Sequence, residues 1–127
     1  MKKLTDRTAV VTGAGGGIGR ATSLLLAQRG CRLAIADIND EGLAETARLV
    51  RALGRPVSTH HVDVSDKARM EKFPAEVVDA HGGVNLLVNN AGVTVNASFV
   101  EHSLEDFEWL MGINFWGVVH GTKAFLP

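Results

Sequence analysis

Short apolar runs alternate with longer stretches of helical period along this chain. That alternation predicts βαβ units packed around a parallel sheet. The first run, Thr8 to Val11, leads into a glycine loop that opens a helix from about Ile18 to Arg29, which Gly30 is placed to close in the left-handed conformation. Arg32 to Ala36 predicts the second strand. Asn39 or Asp40 then caps a helix whose Leu43, Ala47 and Val50 share one face, and Gly54 and Pro56 end it. Val57 to Val62 predicts the third strand. Ser65 or Asp66 starts a third helix toward His81, Gly82-Gly83 stops it, and Val84 to Val88 makes the fourth strand. After a loop from Asn89 to His102, Ser103 with Asp106 behind it resembles a capping box for a long last helix.

Two segments break the regular pattern. Pro74 lies well inside the third helical stretch, where it removes a backbone hydrogen bond and leaves the Met70 carbonyl without its usual partner, at a cost of about 3 kcal/mol. A kink or a pair of short helices is expected there. The last helix has no Asp, Glu, Lys or Arg from Trp109 to Gly121 and calls for burial on nearly all sides, yet it falls short of the ~20 residues that span a bilayer.

Thirteen basic and fourteen acidic residues, neither gathered into a run, give no electrostatic footprint for nucleic acid or an anionic membrane. A small-molecule partner is expected. The 127 residues suit one domain, and the apolar stretch after Met1-Lys2-Lys3 is too short for a signal peptide, so a cytoplasmic protein is expected. Cys31 is the single cysteine and suits a small core residue at a strand start. Five histidines are scattered, and His60 and His61 point to opposite faces of one strand, so no metal site is expected.

The residues that carry chemistry lie at strand ends. Thr12-Gly13-Ala14-Gly15-Gly16-Gly17-Ile18-Gly19 joins the first strand to the first helix, where glycines admit a pyrophosphate to unpaired helix N–H groups. A tight strand-to-helix turn is the alternative, although so many glycines are entropically costly without a reason for close approach. No Lys follows Gly19, which disfavours the Gly-Lys-Ser/Thr type of phosphate loop. Asp37 ends the second strand eighteen residues after Gly19, where a dinucleotide fold sets an acid against the adenosine ribose. Such a carboxylate repels a 2′-phosphate and favours NAD over NADP. A place in a solvated turn or helix cap is the plainer role for it.

Together, Thr12-Gly13-x-x-x-Gly17-x-Gly19, Asp63, Asn89-Asn90-Ala91-Gly92 and Asn114-Phe115-x-Gly117 resemble the short-chain dehydrogenases/reductases over essentially the whole chain. The resemblance implies that Gly13, Gly17, Ile18 and Gly19 line the cofactor pyrophosphate, Asp37 the adenosine ribose, and Asp63 with Val64 the adenine edge. It implies that Asn90, Ala91 and Gly92 floor the nicotinamide-side ribose, that Asn89 and Thr12 tie neighbouring strands, and that Asn114 anchors a proton relay. Hydride transfer between NAD and an alcohol or ketone is the implied reaction, in a homo-oligomer. The family's Ser, and its Tyr and Lys in Tyr-x-x-x-Lys, are expected after Pro127, and this chain has no tyrosine. Residues 1–127 thus read as the dinucleotide-binding portion of a single-domain enzyme whose C-terminal half is absent, inactive by itself. Asn85 departs from the family, which has an Asp there.

The expected fold is a three-layer, doubly wound α/β sandwich of Rossmann type, with parallel strands in the order 3-2-1-4 and the cofactor across their carboxyl ends. A non-catalytic dinucleotide-binding or interaction module is the competing function. A methyltransferase with a similar glycine loop has no reason to carry Asn89-Asn90-Ala91-Gly92 and Asn114.

Overall fold

A parallel sheet is covered on both faces, so its central strands are apolar throughout, and Ala9-Val10-Val11 and Leu33-Ala34-Ile35-Ala36 meet that demand. The computed structural model describes residues 4–91, 121, 122, 124 and 125. In chain order the elements are β1 (Thr8–Thr12), α1 (Gly17–Gln28), β2 (Arg32–Asp37), α2 (Asp40–Ala52), β3 (Val57–His61), α3 (Lys67–His81) and β4 (Leu86–Val88). The described strands form one parallel sheet in the order β3-β2-β1-β4, with Val10 opposite both Ala34 and Leu87. The order reverses beside β1, which opens a crevice at the carboxyl ends of the strands.

Alternate residues of each central strand enter different cores. Ala9, Val11, Leu33 and Ile35 pack with Leu26 of α1 and Leu43, Ala47 and Val50 of α2, while Val10, Ala34 and Ala36 pack with Met70, Phe73 and Val77 of α3. Helices therefore lie on both faces, giving the three layers. The alanines of β2 leave room for Phe73, which is fully buried and meets Phe125 edge-on at a centroid distance of 5.3 Å.

Local chemistry sets the element ends. Gly30, at φ 94°, closes α1, and Gly82, at φ 87°, stops α3 while its N–H bonds the Val78 carbonyl. β4 starts at Leu86 instead of Val84. The reason lies in Asn85, whose side-chain Oδ1 accepts the Thr8 N–H at 2.9 Å while its own N–H bonds the Thr8 carbonyl. A neutral amide thus does the ordering expected of an Asp.

The expected break at Pro74 does not occur, since α3 runs unbroken from Lys67 to His81. Pro74 forfeits the bond to Met70, but Met70, Phe73 and Val77 are all fully buried. Burying three such side chains contributes on the order of 5 kcal/mol and outweighs one lost bond. No described helix is long and apolar enough to cross a membrane. The capping box at Ser103 and most of the charge-free last helix lie outside the described residues; Gly121 is buried and helical.

Candidate functional site

The loop after β1 turns sharply because Gly13 adopts φ 67°, and a Cβ there would lie 2.9 Å from the Ala91 Cα. Gly19 packs closer still. An added Cβ would overlap the Gly13 carbonyl oxygen and come within 2.7 Å of Asn90 Nδ2. These contacts draw the loop, the start of α1 and the end of β4 together. The Thr12 hydroxyl completes the junction by accepting the Asn90 and Ala91 N–H groups, each at 3.1 Å, and Asn90 Nδ2 bonds the Gly13 carbonyl at 3.3 Å.

Above this junction α1 begins at Gly17 with Gly16 at its N-cap, and no side chain caps it. A Cβ on Gly16 or Gly17 would meet nothing within 4 Å. The helix N-terminus therefore has a positive dipole end and open space in front of it, which fits the diphosphate of a dinucleotide.

Asp37 stands across from that helix end. Its Oδ2 accepts the Gly15 N–H at 2.8 Å and its Oδ1 accepts the Asn39 N–H at 3.1 Å, so the carboxylate is fixed by backbone donors on both oxygens. A cleft of about 440 Å³ connects the two, bounded by Gly13, Gly15, Gly16, Ile18, Asp37 and Asp63 among others. Asp63 is exposed at the end of β3 and held in a turn by the Ser65 N–H at 3.0 Å and hydroxyl at 2.6 Å, and buried Val64 follows it into the cleft wall. Ile18 and Ile38 also line the cleft, 76% and 55% exposed despite their size. Apolar side chains in water at the rim of a polar cleft suit a ligand with a flat apolar part.

Of the residues singled out from sequence, Gly13, Ile18, Asp37, Asp63, Val64, Asn90 and Ala91 line this one cleft. Gly17 and Gly19 form the helix start beside it. Gly92 and Asn114 lie outside the described residues. The Asn89 Nδ2 donates to Thr122 Oγ1, at 3.2 Å in a helical segment. Gly15 and Gly16 of the glycine loop line the cleft too, together with Ile38, Asn39 and Val62, which the sequence did not single out for it. Ile38 could have been found as an apolar residue following the acid at a strand end.

Away from the cleft, Cys31 is fully buried and its thiol pKa is pushed up by that burial, against a smaller opposing pull from Arg55. It is a packing residue. Among the described residues no group of three or more His, Cys, Asp or Glu could hold a metal ion.

The short chain dehydrogenase family profile matches residues 7–127. A Mycobacterium tuberculosis protein named as an oxidoreductase, SadH, is 41% identical over the whole chain, which covers 46% of that protein. A short chain dehydrogenase/reductase from Burkholderia phymatum, solved in complex with NAD, superposes with a TM-score of 0.94 at 38% identity, over 98% of this chain and 44% of that one. A short chain dehydrogenase from Mycobacterium paratuberculosis, bound to NAD, superposes with a TM-score of 0.92 at 32% identity, over 96% and 50%. The chain spans about half the length of these three relatives.

Proposed function

The chain belongs to the short chain dehydrogenase family, and on that premise we propose that its cleft binds NAD and that the whole protein exchanges hydride between NAD and an alcohol or ketone. One observation carries this reading: the uncapped N-terminus of α1 and the carboxylate of Asp37 face a single cleft. The helix end and the Gly16 N–H side of the loop hold the pyrophosphate. Asp37 receives the adenosine ribose hydroxyls, with Asp63, Val64 and Ile38 about the adenine, and Asn90, Ala91 and Gly92 under the second ribose. Bound NAD supplies the hydride-accepting ring. NAD is favoured over NADP because a 2′-phosphate would meet the Asp37 carboxylate, and like charges in close contact repel.

The NAD complexes of the Burkholderia phymatum and Mycobacterium paratuberculosis relatives support this choice of cofactor. Asn114 is proposed to anchor the proton relay by way of a bound water. These 127 residues hold no tyrosine, so turnover is proposed of a whole protein of the relatives' length and cofactor binding of this chain. The test is an NADH absorbance assay of the whole protein on a panel of alcohols and ketones. Turnover of one of them, with kcat reduced more than KM is changed by Asn114→Ala, is the expected result. NAD binding without turnover on any of them would instead leave a dinucleotide-binding module.

A further inference from the structure

Arg20 does not line the cleft, yet it makes three hydrogen bonds around the loop that does. From α1, its Nε donates to Thr46 Oγ1 at 2.9 Å, and its Nη2 donates to the carbonyls of Gly15 at 2.9 Å and Gly42 at 3.1 Å. Thr46, on α2, is fully buried, with its Oγ1 2.8 Å from the Ala14 carbonyl and 3.1 Å from that of Gly42. A hydroxyl has one proton, and the shorter contact assigns it to Ala14, so Thr46 accepts from Arg20 while donating to the loop. α2 also presses directly on the loop, because a Cβ on Gly42 would overlap the Gly15 carbonyl oxygen.

The consequence reaches Asp37. Gly15 is held at both ends, its carbonyl by Arg20 and its N–H by Asp37 Oδ2 at 2.8 Å. A loop with glycine at 13, 15, 16 and 17 has little side-chain packing to fix its shape. The clamp supplies that shape from behind, and the order Thr46, Arg20, Gly15, Asp37 is a continuous run of hydrogen bonds between α2 and the ribose end of the cleft.

We propose that Arg20, backed by Thr46, is a positioning residue that fixes the Asp37 carboxylate for the adenosine ribose and so sets the discrimination between NAD and NADP. This rests on the NAD reading above. An arginine suits the task because its planar fork donates in fixed directions to several acceptors, which a lysine ammonium on a flexible stem does not reproduce.

Calorimetric titration of NAD and NADP into the unmodified chain, Arg20→Met, Arg20→Lys, Thr46→Val, Asp37→Ala and the Arg20→Met/Asp37→Ala pair is the test. Arg20→Met is expected to weaken NAD about tenfold, the scale of one charged hydrogen bond, while NADP changes less, so that the ratio narrows. Arg20→Lys should fall between the two, since it keeps the charge and loses the fork. In the Asp37→Ala background the same Arg20 change should cost under about twofold, as expected when both residues act through one contact. Equal weakening of NAD and NADP, or an undiminished loss without Asp37, would overturn the proposal. Arg20→Lys and Thr46→Val carry the same comparison if Arg20→Met does not fold. Failure of the unmodified chain to bind NAD would overturn the cofactor reading together with this one, and would be seen before any variant was compared.

Discussion

Three helices begin near the sheet, and they begin differently. α2 and α3 are closed by their own side chains: Asn39 Oδ1 accepts the Gly42 N–H at 3.0 Å and Asp66 Oδ1 accepts the Arg69 N–H at 3.1 Å. α2 adds Asp40 and Glu41 in its first turn. α1 has glycine at its N-cap, no capping side chain and no acid in its first turn. A capping side chain satisfies one of the free N–H donors of its helix, whereas the end of α1 leaves its donors and its positive dipole end open. The contrast separates two helices closed by their own side chains from the one proposed to face the cofactor.

The sharpest way to break that contrast is to give α1 the cap its neighbours have. Gly16 is extended, at φ 174°, and a Cβ there meets open space, so Gly16→Asp is tolerated by the backbone. Its carboxylate should stabilise the fold by up to about 1 kcal/mol and weaken NAD by about a hundredfold or more, since it occupies the anion's place with like charge. The converse change, Asp66→Ala, should cost about 1 kcal/mol and leave NAD affinity unaltered. Denaturant titration alongside calorimetry reads both quantities, and parallel effects of the two substitutions on binding would remove the distinction.

A smaller effect is expected from the other end of α3. There the Ser58 hydroxyl oxygen lies 2.7 Å from His60 Nε2 and 2.9 Å from His81 Nε2, and His60 Nδ1 lies 3.0 Å from Glu76 Oε1. The Glu76 carboxylate accepts from His60 Nδ1, and the Ser58 hydroxyl bridges the Nε2 atoms of His60 and His81. His81 Nδ1 is left buried without a hydrogen-bond partner among the described residues. Burial, with His60 and Arg32 adding to it and the Leu33 backbone opposing, holds the His81 pKa below the usual imidazole range. As pH falls through that range the unfolded chain takes a proton that the folded chain refuses, so stability present above it is lost down to the lowered pKa. Burial pushes Glu76 up, but hydrogen bonds from Arg69 and His60 more than reverse this and its pKa is lowered, so its share is lost only in stronger acid. The unfolding midpoint should fall as pH drops below the ordinary imidazole value of about 6.5, and His81→Gln should flatten the fall. An identical profile in that variant would exclude His81 as the cause.

The order of elements was legible because parallel strands buried on both faces write themselves as apolar runs, and glycine marked the helix ends. β3, Val57–His61, was visible more by its place between two helices than by its own residues, three of which are Ser58, Thr59 and His60. Pro74 misled because its local cost is plain in sequence, while the burial of Phe73 against β2 and Phe125 is not. In the site, the glycine loop and Asp37 were legible by spacing. Arg20 and Thr46 were not, because their contact joins residues 26 apart on two helices and exists only once those helices pack.

The open end of α1 and Asp37 are together proposed to make an NAD site, and the most direct measurement is titration of NAD and NADP into the unmodified chain and into Asp37→Ala. Saturable binding is expected, with NAD at least about tenfold tighter in the unmodified chain and a ratio closer to one in the variant, as removal of the repelling carboxylate requires. Equal affinity for the two cofactors in the unmodified chain, or binding of neither, would contradict it.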